Sequence, residues 1–86
     1  MQFEGAVIRE QGVTFAVVVV KRQVLDNPTF ANQAINSFRP AFPGLPIVLM
    51  GQDSSGRPKW FGRQDLARFL ANTPLGAIPW RRYTMN

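Results

Sequence analysis

The amino-acid sequence predicts a single α/β domain of the α+β type, in which a four-stranded mixed sheet carries two helices on one face. Three observations support the element order ββαββα. Residues 13–20 and 47–50 are almost entirely apolar at both odd and even positions, as strands inside a sheet are. A helix with a clear start signal separates these two segments, and glycine-containing turns follow the first and third strands. The domain spans residues 1–86, with a core over 1–73 and an extended strap over 74–86.

The first two strands form a hairpin. Residues 2–10 and 13–21 are the strands, and Glu10, Gln11 and Gly12 form the turn between them. Gly12 tolerates the positive φ that a tight hairpin requires. Valine, which dominates the second strand, is β-branched and loses rotamer freedom in a helix. A strand is therefore the expected structure for this segment.

The first helix begins at Pro28. Asn27 can cap it, and proline suits the first helical position because its missing N–H would have no partner there. Pro40 ends the helix, and Phe42 in the connector that follows is expected to close one end of the core. The apolar residues of one helical face recur at helical spacing and are Phe30, Ala31, Ala34, Ile35 and Phe38.

The third strand lies within residues 44–51 and is apolar on both faces. It must be covered on both sides, or covered on one side and paired internally, so we expect it inside the sheet. Residues 52–56 have the composition of a turn, and Pro58 favours an edge position for the fourth strand, residues 57–61. Gly62 ends that strand, and residues 63–72 form the second helix. The simplest strand order is 1-2-3-4; the alternative inserts strand 1 between strands 2 and 3.

Residues 17–72 resemble the C-terminal half of a thioredoxin-like domain. The resemblance comes from an apolar strand, Asp26-Asn27-Pro28, a helix, Gly44-Leu45-Pro46, a second apolar strand, a glycine-containing turn, a short strand, Gly62 and a Leu66-x-x-Phe69-Leu70 helix. It implies a related α/β sandwich and a cis peptide bond before Pro46. The chain has no Cys-x-x-Cys motif and lacks the strand–helix unit that would carry it, so the resemblance implies no activity.

Composition excludes several classes of catalytic site. The chain has neither cysteine nor histidine, so thiolate nucleophiles, Cys-type metal sites and the commonest general base are absent. A serine nucleophile in the turn Asp53-Ser54-Ser55-Gly56 would have no histidine to activate it. Glu4 and Glu10 are roughly 20 Å apart along a strand, too far for a carboxylate pair. We therefore expect no enzyme activity, no metal and no cofactor.

Lysine chemistry and membrane association are not expected either. Nothing near Lys21 or Lys59 in the sequence indicates a depressed pKa, and Asp26 beside Asn27-Pro28 is typical of a helix start. The longest apolar run is far too short to cross a bilayer, and the N-terminus has no basic targeting region. The sequence predicts a soluble, cytoplasmic protein that does not bind membranes.

The positive charge lies in the last third of the chain. Residues 1–55 carry four basic and four acidic side chains, whereas residues 56–86 carry six basic side chains and one acidic. If the C-terminal strap returns to the fourth strand, basic groups and an indole form one surface suited to a phosphate backbone and to base stacking. The residues of this polyanion-binding hypothesis are Arg57, Lys59, Arg63, Trp80, Arg81 and Arg82.

Two other interpretations of the same residues stay open. The basic side chains can be a solvated face that keeps a small protein soluble, with Trp60, Trp80 and Tyr83 packed as anchors. Alternatively, a small core favours a protein–protein or homo-oligomeric role without nucleic acid. The sequence thus predicts a non-catalytic interaction module whose partner is a nucleic acid, another polyanion, a protein or a second copy.

Overall fold

A computed structural model describes residues 1–85 and contains a five-stranded mixed sheet with the strand order β4-β3-β2-β1-β5. Three α-helices and two short 3-10 turns, Arg39–Ala41 and Leu75–Ala77, accompany the sheet. The elements in chain order are β1 Gln2–Glu10, β2 Val13–Val19, α1 Arg22–Leu25, α2 Pro28–Phe38, β3 Ile47–Gln52, β4 Pro58–Phe61, α3 Gln64–Ala71 and β5 Arg81–Thr84. The predicted class of small α+β domain is confirmed.

Strand pairing confirms the simpler of the two expected orders. β1 and β2 are antiparallel, β2 and β3 are parallel, and β3 and β4 are antiparallel. The Pro46 carbonyl accepts a bond from the Ala16 amide at 2.9 Å, beside the start of the parallel ladder. β4 lies at one edge, as Pro58 predicted, and β3 lies inside the sheet.

A fifth strand, which the sequence did not predict, closes the opposite edge. β5 pairs antiparallel with β1, from Gln2 opposite Thr84 to Gly5 opposite Arg81. The expected strap over 74–86 is therefore a 3-10 turn followed by a strand, and its last residue, Asn86, lies outside the described residues. The pairing satisfies backbone groups along the outer side of the first half of β1.

The two helices predicted on one face lie on opposite faces of the sheet. α1 and α2 cover Ala16, Val18 and Leu49, whereas α3 covers Phe15, Val17 and Val48. Side chains of adjacent strand residues point to opposite faces, so β2 and β3 supply both cores. The prediction of a one-sided arrangement is wrong because it would have exposed half of these apolar side chains to water.

The start and end of α2 follow the sequence signals. Asn27 Oδ1 accepts a hydrogen bond from the Thr29 amide at 2.8 Å, and Pro28 occupies the first turn. α2 ends at Phe38, and Pro40 lies in the 3-10 turn that follows. The sequence analysis placed Phe30 with the core face of this helix, and the structure, in which Phe30 is exposed, corrects that assignment. The short helix α1 before it was not predicted.

No peptide bond within residues 1–85 is cis. The cis bond before Pro46 that the resemblance implied is therefore wrong.

An aromatic cluster attaches β5 to the rest of the molecule. The Tyr83 ring stacks on Phe3 with centroids 5.5 Å apart and meets Phe42 edge-on at 5.1 Å. The centroid of the Phe38 ring lies 4.8 Å from that of the Phe3 ring. Phe42 is buried and belongs to the core on the α2 side of the sheet. Tyr83 thus holds the C-terminal strand against β1 through ring contacts as well as backbone pairing.

Candidate polyanion-binding surface

The predicted site residues around β4 are each bound to a carboxylate. Arg57 Nε lies 3.3 Å from Asp53 Oδ2, and Lys59 Nζ lies 3.8 Å from Asp26 Oδ1. Arg63 forms a two-point contact with Asp65, with Nε 2.8 Å from Oδ1 and Nη2 2.9 Å from Oδ2. We call Arg57, Lys59 and Arg63 the β4 cluster.

Hydrogen bonds lower the pKa of two of these carboxylates. The Arg63 side chain, by donating to Asp65, lowers the pKa of that carboxyl. For Asp53 the main cause of its lowered pKa is a hydrogen bond from the Arg57 backbone amide, supported by one from the Ser55 amide. Aspartate is ionised at neutral pH even at its ordinary pKa, and the lowered values extend that ionisation to more acidic conditions. The β4 cluster, taken with its three aspartates, has no net formal charge.

The predicted site residues at the other end of the chain have different surroundings. Arg81 and Arg82 are exposed on β5, the outermost strand. Neither guanidinium forms an ion pair with a carboxylate of residues 1–85. Because adjacent strand residues point to opposite faces, Arg81 lies on the α2 side and Arg82 on the α3 side. Their positive charges are thus directed to both sides of one sheet edge.

Trp80 combines an anchoring role with partial exposure. Its Nε1 donates to the Leu75 carbonyl at 3.0 Å, and its ring packs against the core beneath α3. The ring is half-buried, as the anchor interpretation predicted. It also borders a shallow hollow of about 220 Å³ with Arg81, Arg82 and Glu4. We call Trp80, Arg81 and Arg82 the β5 surface.

The six predicted residues do not form one surface. β4 and β5 lie at opposite edges of a five-stranded sheet, and four strand spacings separate them by about 19 Å. The expectation that the C-terminal strap returns to the fourth strand is wrong. Burial of Ile78 in the α3-side core and stacking of the Tyr83 ring on Phe3 accompany the pairing of this segment with β1 instead.

The ion pairs of the β4 cluster show where the net charge of the molecule lies. The three basic groups of the β4 cluster are balanced by Asp26, Asp53 and Asp65, so the net charge of +5 comes from the other seven basic side chains and two glutamates. Arg81 and Arg82 are adjacent members of that remainder. Glu4 lies opposite Arg82 in the β1–β5 pairing and is the acidic group of the β5 surface hollow.

The turn that carried the serine-nucleophile hypothesis is held together by its own aspartate. Asp53 Oδ1 accepts from the Ser55 and Arg57 amides, each at 2.9 Å. This arrangement is an Asx-type turn, which supports the interpretation of residues 52–56 as a polar hairpin. Among residues 1–85 no group of three metal-ligating side chains could hold an ion, and no helix is long and apolar enough to cross a membrane.

Sequence reasoning missed the cleft between the β1–β2 turn and α3. It has a volume of about 410 Å³, and its charged lining residues are Glu10, Asp65 and Arg68. Asp65 forms an ion pair with Arg63. Glu10 and Asp65 therefore have different surroundings and do not form a pair of carboxyl groups that shares one proton. The lining comes from residues 10–13 and 65–73, and no sequence signal joins these segments.

A further hollow, of about 350 Å³, lies beside Pro46 and contains Arg39 and Arg63 in its lining. Arg39 Nε donates to Asn36 Oδ1 at 2.9 Å, and Arg63 is paired with Asp65. Both guanidinium groups therefore already have polar partners from the chain itself. The residues that line this hollow beside Pro46 include no acidic and no nucleophilic side chain.

Comparisons with known proteins add no functional assignment. No family model matches the chain, and no curated protein and no solved structure matches it significantly.

Proposed function

We propose that the protein is a non-catalytic interaction module that binds a polyanion, with single-stranded nucleic acid as the leading case, through the β5 surface. The observation that supports this proposal is the contrast between the two sheet edges. Arg57, Lys59 and Arg63 are each bound to an aspartate, whereas Arg81 and Arg82 are exposed without a carboxylate partner among residues 1–85.

Free guanidinium groups are the appropriate chemistry for this role. Arginine presents a planar fork of N–H donors that matches phosphate oxygens in a two-point contact. A carboxylate that holds an arginine neutralises its charge locally and occupies part of its donor fork, which weakens the attraction for a phosphate. Arg81 and Arg82 have no such partner among residues 1–85, and the half-buried Trp80 ring next to them can stack with a base.

Glu4 limits the strength of this binding. Its carboxylate borders the same hollow as Arg82 and repels an incoming phosphate. Replacing Glu4 with Gln removes the repulsion and keeps the size of the side chain. We therefore expect Glu4→Gln to tighten polyanion binding, in the direction opposite to the loss of an arginine.

The test compares two double variants that remove the same amount of charge. Arg81→Gln/Arg82→Gln changes the β5 surface, and Arg57→Gln/Arg63→Gln is the matched control in the β4 cluster. Binding to a labelled single-stranded oligonucleotide is measured by fluorescence anisotropy between 20 and 200 mM salt, as a working range of about tenfold. Circular dichroism confirms that each variant is folded.

We expect the β5 variant to lose at least about tenfold in affinity at low salt. The slope of log affinity against log salt concentration should become smaller by about 1.4, which corresponds to the loss of two phosphate contacts on a single strand. The control variant should stay within about twofold of wild type. Equal losses of affinity in the two double variants would show that binding depends on the overall positive charge and not on a defined site. No binding of wild type to the oligonucleotide or to heparin at low salt would reject the proposal.

A second candidate function, association between protein chains, is favoured by a different observation. The groove between α1 and α2 is exposed, and its lining is partly apolar and uncharged. This groove lies on the sheet face that α1 and α2 cover and does not include the β5 surface.

A further inference from the structure

Glu4 and Arg82 lie directly opposite each other in the β1–β5 pairing. Opposite residues of an antiparallel pair alternate between pairs that exchange backbone hydrogen bonds and pairs that do not, and side chains are closer in the second kind. Met1 and Met85 exchange two backbone bonds of 2.8 Å. Glu4 is three residues beyond Met1, so Glu4 and Arg82 are a pair of the second kind, with neighbouring side chains on one face of the sheet.

These two opposite charges nevertheless form no ion pair. Opposite charges at such positions usually attract each other, but the ion pairs of residues 1–85 include neither Glu4 nor Arg82. Both side chains instead border the hollow of about 220 Å³ at this edge of the sheet. The hollow therefore has a hydrogen-bond acceptor on the β1 side and guanidinium donors on the β5 side.

Trp80 gives the same hollow an aromatic wall. Its ring packs on the α3 side of the sheet, which is the side to which Arg82 points. The bond from Trp80 Nε1 to the Leu75 carbonyl, 3.0 Å long, fixes the orientation of the indole. A base stacked on this ring has its edge, and not its face, directed to the other groups of the hollow. One of those groups is the Glu4 carboxylate.

The chemistry of a carboxylate distinguishes between the bases. An ionised carboxylate only accepts hydrogen bonds, and single-stranded bases are free to bond through their Watson–Crick edges. Guanine has two adjacent donors on that edge, N1–H and the N2 amino group, which match the two oxygens of a carboxylate. Thymine and uracil have one N–H between two carbonyl oxygens, and those oxygens repel a carboxylate. Adenine and cytosine have one amino group beside an acceptor nitrogen.

We propose, building on the proposed function of the β5 surface, that Glu4 makes this surface selective for guanine in single strands. Guanine stacks on Trp80 and donates from N1 and N2 to the Glu4 carboxylate, while the neighbouring phosphates contact Arg81 and Arg82. This role accounts for an acidic residue within a basic surface. Glu4 repels every strand through its charge and compensates for that repulsion only when a guanine is present, which is how specificity arises from a difference of affinities.

The exposure of Glu4 sets the size of the expected preference. Two-point contacts between a side chain and a base discriminate by about fivefold to about 150-fold. Glu4 is exposed, and water competes for its oxygens, so the lower end of this range applies. We expect guanine to be preferred to thymine by about fivefold at one position of the strand.

The experiment measures the affinity of the protein for three labelled strands by fluorescence anisotropy at low salt. Each strand is an oligothymidylate of about ten nucleotides, within the usual site size, whose central base is thymine, guanine or hypoxanthine. Hypoxanthine is a purine that keeps N1–H and lacks the N2 amino group, so it controls for stacking. The three strands have the same number of phosphates, and the electrostatic contribution therefore cancels in the ratio of two affinities.

Glu4→Gln tests the contact, and Glu10→Gln is the matched control. Both variants remove one negative charge from β1 and keep the size of the side chain. Glu10 is at the other end of the strand, roughly 20 Å from Glu4, and does not border the hollow. Glu4→Gln should reduce the preference for guanine to less than about twofold, while its affinity for the all-thymine strand rises. Glu10→Gln should keep the wild-type preference.

Wild type should bind the guanine strand most tightly, the hypoxanthine strand less tightly and the thymine strand least. Equal binding of the three strands overturns the inference and leaves polyanion binding intact. Equal binding of the guanine and hypoxanthine strands overturns the two-point contact. A preference that survives in Glu4→Gln, or that is lost in Glu10→Gln as well, also overturns the role of Glu4. A wild type that binds none of the strands rejects this inference and the proposed function together.

Discussion

At the scale of single residues, Gly5 shows how closely β1 and β2 approach. A Cβ atom placed on Gly5 would lie 2.6 Å from the backbone oxygen of Val17 and 3.5 Å from the Tyr83 ring. The carbonyl belongs to a paired strand and cannot turn away without breaking the ladder. Glycine is therefore required at this position because any side chain would collide with β2. The backbone φ of Gly5 is not in the positive range that favours glycine.

We predict that Gly5→Ala lowers the free energy of unfolding by about 1–3 kcal/mol, the range typical of an overpacked interior. Gly76→Ala is the control, because nothing lies within 4 Å of a Cβ at Gly76 and its φ is not positive. The control should change the unfolding free energy by less than about 1 kcal/mol. Urea denaturation measures both, and equal values for the two variants would contradict the close approach.

The sequence indicated which basic residues could form a polyanion-binding site, but not the ion-pair partners of those residues. It indicated correctly that the basic groups lie on exposed positions near strands and that Asp53 belongs to a turn. The pairs Arg57–Asp53 and Arg63–Asp65 are local in sequence and could have been anticipated. The contact of Lys59 with Asp26 joins β4 to the end of α1, and only the folded chain brings these residues together.

At the scale of elements, β2 explains both a successful and a wrong prediction. Its valines are apolar at odd and even positions, which predicted a strand inside the sheet. The same observation requires a cover on each face, and the one-sided placement of the helices neglected that requirement. α1 and α2 cover Val18, and α3 covers Val17.

Adjacent valines test this two-sided arrangement. Val17 and Val18 are both fully buried, so Val17→Ala and Val18→Ala should each lower the unfolding free energy by about 1–3 kcal/mol. Chemical denaturation of the two single variants is sufficient. With both helices on one face, one of these side chains would face water, and its substitution would be nearly neutral.

β5 could not be predicted from local pattern. Arg81-Arg82-Tyr83-Thr84 has no apolar alternation, and its strand depends on an open edge of β1 and on the contact of Tyr83 with Phe3 and Phe42. The sequence did predict an ordered, extended segment anchored by aromatic residues. The sequence could not predict which of the two sheet edges this segment joins. That choice depends on where the C-terminal end of α3 lies in the folded molecule.

At the scale of the whole molecule, the choice of edge determines the proposed function. Pairing of β5 with β1 separates the basic residues of the C-terminal third into two groups about 19 Å apart. One group is bound to aspartates, and the other is not. The relation to thioredoxin-like domains stays a prediction. Pro46 is trans, and residues 17–72 contain the helix α1, which the resemblance does not include.

Salt distinguishes the proposed polyanion binding from apolar association. Binding of a polyanion at the β5 surface is expected to weaken as salt rises, because the release of condensed counterions gains less entropy in a more concentrated salt solution.

The most direct test of the central claim is amide chemical-shift mapping of the ¹⁵N-labelled protein during titration with a single-stranded oligonucleotide. The division of the basic residues between two edges predicts shifts at Arg81, Arg82 and the Trp80 indole N–H, while Arg57, Lys59 and Arg63 stay unchanged. Shifts concentrated at the β4 cluster, or spread equally over both edges, would contradict it.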